Sequence, residues 1–379
     1  MGIKKHLFTA AFSVLAFAAS AQSGARWALV LPFGLEADTT GSGIARNTMA
    51  LEFYAGFRAA LDSTSKSSWP ITLDVYDFDE ATGMVVDHQA ASLPRYLSPS
   101  DFMQQQADRD VRYVVGPFRA VDSDALAKHA KSTTYVVNPV SRDVVTDQRP
   151  QLIAAAPTRF LEAEVLGRLA AKDAVAKPRS RTVLFDLGDA ASAQQRRAFV
   201  RGYAAAGGDT LAIQTWDGRP SANLAARVGG DDLVPTRFVL LDDKVLSAAR
   251  ILQGLRQRPA SQTEFWTVSS TVNSPSLDAF LLLRQPIIWA QTDRLEFAAY
   301  SEVEAQISAV LGDSKSRWAW LGYDTALMLS VNDPDRYTGT RRSYRWSFSP
   351  DGGQFNAAVE LYRYEPGQGV NPLPFPVLN

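Results

Sequence analysis

The chain has 379 residues, with 39 Lys and Arg against 40 Asp and Glu for a formal charge of −1. Hydrophobic content of 46% and charged content of 21% are those of an ordinary globular protein, long enough for two domains with substantial cores. The near-zero balance excludes the electrostatic footprint of a nucleic-acid binder or of a protein held on an anionic membrane. The absence of cysteine excludes disulfides, thiolate metal sites and a lipid anchor attached at a cysteine.

Residues 1–21 read as a cleavable signal peptide. Lys4, Lys5 and His6 form a basic start, and Leu7 to Ala18 is apolar but too short to span a bilayer. Ala19-Ser20-Ala21 is a small-residue cleavage site before Gln22. Removing this segment takes away two lysines and no acids, so the mature charge is 37 − 40 = −3. A periplasmic location without a membrane span is expected, since the apolar stretch Ala279–Trp289 is interrupted by Arg284 and Pro286.

Short apolar runs then alternate with alanine-rich helical stretches. Ala28–Phe33 is the first strand, followed by a loop containing Gly41-Ser42-Gly43 and a helix over Thr48–Leu61. Phe53, Phe57, Ala60 and Leu61 share one face of that helix. Ile71–Asp79, Tyr113–Phe118 and Thr134–Ser141 continue the strands, with helices over Pro99–Asp108 and Asp122–Lys131. Gln151–Ala156 reads as a linking strand, and Thr158 as the cap of a helix over Arg159–Ala174.

The beat restarts with strands at Thr182–Asp189, Thr210–Gly218, Arg237–Asp243, Glu264–Val268 and Pro286–Ala290. Helices are expected at Ala191–Ala206, Ser221–Val228, Val245–Arg256, Tyr300–Leu311 and Arg317–Leu329. The segment from Tyr344 to Tyr364 alternates like a hairpin, and Pro366–Pro376 reads as a Pro- and Gly-rich surface tail. Non-alternating Val, Ile and Leu runs fit strands buried on both faces, and strands separated by helices imply parallel sheets. The expected fold class is therefore α/β, with two Rossmann-like lobes joined by a hinge. The first lobe takes 26–157 plus about 291–340, the second 158–290 plus about 341–365, and 366–379 form the tail. Ligands of open α/β sheets bind beyond the carboxyl ends of the strands, which directs attention to a cleft between lobes.

Catalytic chemistry is poorly supplied. Of three histidines, His6 leaves with the signal peptide, and His88 and His129 stand apart, so a multi-histidine metal site is excluded. No G-x-S-x-G elbow precedes a helix. Gly41-Ser42-Gly43 fails the dinucleotide pattern because Arg46 occupies the third glycine position, and it reads as a flexible loop. Asp74, Asp77, Asp79 and Glu80 lack the glutamate an EF-hand would need, since His88 stands there; they read as a strand end and polar turn. Arg341 to Trp346 read as a solvated basic hairpin edge, with anion pairing as the alternative. No cofactor is expected.

The ordered segments resemble type I periplasmic solute-binding proteins, the branched-chain amino-acid-binding group. ALVLPF, MALEFYAGFRAALD (Met49–Asp62), YVVGPF, VVNPVS, LIAAAPT (Leu152–Thr158) and WLGYDTALML (Trp320–Leu329) carry the resemblance, over roughly residues 26–365. The flavour is similar to a Bacteroidetes-type envelope group often joined to LysM modules, although no such module is visible.

The resemblance implies that strand-end residues hold a ligand. Those of the first lobe are Phe118, Arg119, Ala120, Ser141 and Arg142, and those of the second are Asp189, Trp216, Asp242, Ser269 and Gln291. Relatives carry paired serines where this chain has Phe118-Arg119-Ala120. Arg119 there either grips a carboxylate bidentately or forms a salt bridge of its own. The expected function is an exported, non-enzymatic receptor for a small carboxylated solute of the amino-acid or peptide class, with a transporter as partner. The alternative is a structural or regulatory envelope protein binding a protein or peptidoglycan. Asp324 is expected to brace its helix.

Overall fold

The computed structural model describes residues 25–35, 42–64, 70–88, 93–216, 234–241, 245–256, 258–282, 284–294, 301–311, 316–331, 336–350 and 352–373. The signal-peptide segment, the expected helix Ser221–Val228 and Asp242 lie outside them. The chain divides into two compact units. The first comprises Met1–Ala156 with Ala298–Asn356, and the second Pro157–Phe297 with Ala357–Asn379.

In chain order the first unit begins with β1 (Arg26–Leu31), helix α1 (Ser42–Thr64), β2 (Thr72–Asp79), β3 (Met84–Asp87), β4 (Arg95–Leu97) and α2 (Pro99–Asp108). It continues with β5 (Val111–Val115), α3 (Ala120–Ala127), β6 (Tyr135–Asn138) and β7 (Leu152–Ala154). The second unit holds α4 (Leu161–Ala176), β8 (Arg181–Phe185), α5 (Ala190–Ala205), β9 (Ile213–Trp216), β10 (Thr236–Leu240), α6 (Val245–Leu255) and β11 (Thr263–Val268). Two short helices, α7 (Ser269–Val272) and α8 (Ala279–Leu282), lead to β12 (Ile287–Gln291). The chain returns to the first unit for α9 (Ser301–Leu311), α10 (Arg317–Ser330), β13 (Arg336–Thr338), β14 (Ser343–Phe348) and β15 (Gln354–Asn356). It ends in the second unit with β16 (Glu360–Glu365) and β17 (Gly369–Leu373).

The first sheet runs β13-β14-β15-β7-β6-β5-β1-β2-β3-β4, and the second β17-β16-β12-β11-β10-β8-β9. Their centres are parallel, with antiparallel additions at the edges. The core explains why the central strands do not alternate. Trp27, Leu29 and Leu31 of β1 pack toward α1 and α10, while Ala28 and Val30 pack toward α2. In β10, Val239 faces α4 and α5, while Phe238 and Leu240 face α6. A strand covered on both faces has no polar side to show in its sequence.

Several expectations are corrected. Ser42 and Gly43 already belong to α1 rather than to a flexible loop. Phe160, not Thr158, is the N-cap of α4, and it caps without a side-chain bond. The stretch 341–356, expected with the second lobe, joins the first sheet: β14 pairs with β15, which runs parallel to β7. The tail is not merely a surface wrap, because β17 pairs antiparallel with β16 along Leu361–Glu365. Nor is the basic run 341–346 a solvated edge, since Arg342 and Tyr344 are buried.

Candidate functional site

Chain order places a switch point in each sheet. In the first, β1 lies between β2 and β5, and in the second, β8 lies between β9 and β10. The loops leaving the carboxyl ends of those strands are where an open α/β sheet presents its binding groups.

In the first unit these loops are held by two buried side chains, Asp77 and Asn138. Asp77, at the end of β2, accepts from the backbone N–H groups of Phe33 (2.7 Å), Gly34 (3.1 Å) and Leu35 (3.0 Å), fixing the exit of β1. Asn138 ends β6. Its Nδ2 donates to the carbonyls of Pro117 (3.0 Å) and Phe118 (3.1 Å) and to Ser123 Oγ (3.0 Å). Its Oδ1 accepts from the N–H groups of Val140 (3.1 Å) and Ser141 (2.8 Å). One asparagine thus ties the loop after β5 to the loop after β6. Gly116 starts the former with φ +97° and so little room that an added Cβ would lie 2.0 Å from the Val30 carbonyl oxygen.

The expected first-lobe residues sit on these loops, but their side chains are differently employed. Phe118 is buried, edge-on to Phe53 at 5.4 Å, and belongs to the core. Arg119 donates from Nε to Asp122 Oδ2 (2.6 Å) and from Nη2 to Asp122 Oδ1 (2.9 Å) and the Glu80 carbonyl (2.9 Å). The Asp122 hydrogen bond holds the Arg119 guanidinium above its usual pKa. Ala120 is the first residue of α3. Ser141 is half-buried, and its Oγ accepts from the Asp143 N–H at 3.3 Å. Arg142, also half-buried, lies beside it. The acidic residues on β2 and the turn after it are divided among separate tasks. Asp74 pairs with Arg26 at 2.8 Å, Asp77 holds the β1 exit, and Asp79 caps the turn through Ala81 N–H and Thr82 Oγ1.

The second unit repeats this economy. Asp189 is the N-cap of α5, accepting from Ser192 N–H at 2.8 Å. Trp216, at the end of β9, leans on Phe185 with ring centres 5.5 Å apart. The Ser269 N–H (3.0 Å) and Oγ (2.9 Å) both donate to the carboxylate of Glu162, a buried residue in the first turn of α4. Gln291 is buried, and its Oε1 accepts from Trp289 Nε1 (3.2 Å) and Asn273 Nδ2 (3.1 Å) while its amide donates to the Asp293 carbonyl. The structure therefore gathers Phe118, Arg119, Ala120, Ser141 and Arg142 on adjoining loops of one sheet. Asp189 and Trp216 lie on neighbouring loops of the other, with Ser269 and Gln291 on the loops of β11 and β12.

Asn138 and Glu162 had weak sequence signals. An Asn-Pro step signals no more than a turn, and a glutamate in a first helical turn no more than a favourable helix end. Asp324 does brace, and over a longer reach than its own helix. Its carboxylate accepts from Thr340 N–H (2.7 Å) and Oγ1 (2.6 Å), Arg341 N–H (2.7 Å) and Arg342 N–H (3.0 Å).

No family model and no curated protein matches the sequence. Solved structures do. A putative branched-chain amino acid ABC transporter from Rhodospirillum rubrum is 15% identical at TM-score 0.60, covering 90% of this chain and 97% of that one. A second, from Chromobacterium violaceum, is 18% identical at TM-score 0.55, covering 88% and 99%. The C-domain of LpoA (YraM) from Haemophilus influenzae, described as a regulator of PBP1A, is 15% identical at TM-score 0.56, covering 92% and 100%. Against full-length LpoA from Haemophilus influenzae the chain is 15% identical and spans 59% of that protein's length at TM-score 0.56. The chain has the type I periplasmic binding protein fold. No described helix is long and apolar enough to cross a membrane.

Proposed function

We propose that the protein is an exported, non-catalytic component of the cell envelope that uses this fold to bind a protein or peptidoglycan partner rather than to carry a free solute. One observation carries the reading. Arg119, one of the two strand-end arginines on which recognition of a carboxylated solute would rest, is closed onto Asp122 and Glu80 of its own unit. A solute would have to break a two-pronged ion pair to reach it, and Phe118 beside it is core. The likeness to the LpoA C-domain, a PBP1A regulator, over 92% of this chain supports the same reading.

A solute receptor is the second reading, favoured by the fold likeness to branched-chain amino acid ABC transporter proteins. A thermal-melt panel on protein beginning at Gln22 separates the two. Amino acids, short peptides and sugars should leave the melt unchanged, while the protein should be retained on isolated peptidoglycan or on an immobilised PBP1A-type partner. A saturable shift with one solute class, lost in Ser141→Ala, would transfer the conclusion to solute binding. A ligand at a hundred times its dissociation constant adds about 2.7 kcal/mol, well within reach of that measurement.

A further inference from the structure

Two of the three points at which the chain passes from one unit to the other follow strands of only three residues. β7 ends at Ala154, just before the passage at Ala156–Pro157, and β15 ends at Asn356, immediately before Ala357. The ladder between these strands is short, pairing only Gln354 with Ile153 and Phe355 with Ala154. Beyond it the link is made by a side chain. Asn356 Nδ2 donates to the carbonyls of Ala155 (3.1 Å) and Ser343 (3.0 Å), and its Oδ1 accepts from the Arg345 N–H (3.0 Å).

The same groups lead to the loop after β6, which carries Ser141 and Arg142. The Ala155 N–H donates to the Asn138 carbonyl at 2.9 Å. Arg342 Nη1 donates to the Pro139 carbonyl at 3.1 Å. With the covalent steps Asn138–Pro139 and Arg342–Ser343, these contacts close a ring. It runs from Asn138 to Ala155, to Asn356, to Ser343 and Arg342, and back through Pro139. Its polar side chains lie out of solvent, with exposure of 0% at Asn138 and Asn356 and 3% at Arg342.

Arg342 is pinned on its other side by Asp324, which accepts its backbone N–H at 3.0 Å. Burying a guanidinium is costly, and an apolar side chain of similar volume would serve stability as well. An apolar side chain would not reach the Pro139 carbonyl with a donor. In a low-dielectric network, each bond also fixes the partners of the next, so a break at one point is felt around the ring.

We propose that this ring makes the loop after β6 and the two chain exits, at Ala155 and Asn356, one cooperative element with Arg342 as its positioning residue. The loop carrying Ser141 and Arg142 then cannot rearrange without disturbing both exits, and a partner that engages the loop acts on them. That use rests on the protein being a partner-binding component of the envelope, whereas the ring itself is tested with no partner present.

The test is native-state hydrogen exchange on the chain from Gln22, read by NMR at Val140, Ser141, Ala155 and Arg345. Leu29 of β1 serves as the reference for the rest of the first unit. Asn356→Ala should speed exchange at Val140 and Ser141 about tenfold or more relative to Leu29, although both amides donate to Asn138. Arg342→Met should do the same at Ala155, whose N–H also donates to Asn138. Arg342→Lys, which keeps a donor for the Pro139 carbonyl, should recover most of the protection. The double variant Asn356→Ala with Arg342→Met should fall short of the product of the two single factors, the mark of groups in one network. If Asn356→Ala does not fold, the two Arg342 variants decide alone. Acceleration confined to Arg345 in Asn356→Ala, acceleration shared equally by Leu29, or an Ala155 amide indifferent to Arg342→Met would overturn the proposal. None of these readouts involves binding, so the ring and the partner-binding reading can fail separately.

Discussion

Gly56 of α1 and Gly322 of α10 each face the backbone of the other's helix. A Cβ added at Gly56 would lie 1.7 Å from the Ala319 carbonyl oxygen, and one at Gly322 would lie 2.0 Å from that of Phe53. The second unit has the same device in α4 and α5, where a Cβ on Gly167 would meet the Phe199 oxygen at 2.0 Å and one on Gly202 the Glu164 oxygen at 2.0 Å. Two units built on the same plan thus set their main helix pairs at backbone contact. Gly322→Ala forces α10 off α1 and away from Trp27, Phe53 and Phe57, which that pair covers. Overpacking of a tight core costs about 1–3 kcal/mol, and a clash with backbone belongs at the upper end. Urea unfolding followed by tryptophan fluorescence should show that loss, and a midpoint equal to wild type would refute the close approach.

Asp324 is the counterpart of this pair on the same helix, and it joins α10 to the segment between β13 and β14. Replacing it by alanine withdraws the acceptor from the N–H groups of Thr340, Arg341 and Arg342. At about 1–3 kcal/mol for each buried donor left unsatisfied, the loss should be at least about 3 kcal/mol. Burial raises the Asp324 carboxyl above its usual value of 3.8, and the four hydrogen bonds only partly oppose that rise. The folded state therefore holds this proton more tightly than the unfolded chain. Stability from this group is full below the unfolded pKa and declines as pH rises from there through the folded pKa. Unfolding midpoints measured from pH 3.5 upward should show that decline in wild type and lack it in Asp324→Asn.

Much of the fold is legible because stretches such as Trp27–Leu31 of β1 and Phe238–Leu240 of β10 are buried on both faces and therefore read as unbroken apolar runs. The edges are less legible. Ser343–Phe348 alternates like any hairpin strand, and nothing local says that its partner, Gln354–Asn356, will run beside β7 of the first sheet. The candidate residues divide in the same way. Their placement at strand ends follows from strand order, so Arg119, Ser141 and Trp216 fall where the pattern puts them. Their partners do not follow. Ser269 is 107 positions from Glu162, and no spacing rule connects them. An Asn-Pro step marks a turn, but the side-chain bonds Asn138 makes to both loops depend on β5 and β6 being neighbours.

Asn138→Ala should therefore act on two loops at once. It removes an acceptor from Val140 and Ser141 N–H groups and a donor from the Pro117 and Phe118 carbonyls, all at a residue with no solvent exposure. A cost of about 2–4 kcal/mol is expected from the unsatisfied groups and the space left behind. Hydrogen exchange should accelerate at Val140 and Ser141 more than in β1. Protection unchanged at those two amides would mean that the loops are held by other contacts.

Acid sensitivity should trace in part to Glu164 on α4. Burial pushes its carboxyl up, but hydrogen bonds from Arg168 (2.8 Å) and Arg201 (2.7 Å), with their charges, outweigh it and leave the pKa below its usual 4.5. The sign is opposite to that of Asp324. The stabilisation is present above the unfolded pKa and is lost as pH falls through the folded one. Arg201 is 64% exposed, so solvent screens its share, and the whole contribution should be about 0.5–1 kcal/mol. Glu164→Gln should flatten the acid limb of a stability–pH profile below about pH 4.5 while leaving the plateau near neutrality lower by that amount. High salt should shrink the difference between the two proteins, because the Arg201 arm lies at the surface where ions reach it. A variant whose acid limb runs parallel to wild type would remove Glu164 from the account and leave Asp124, held down by Lys128 and Arg149, as the group to change next.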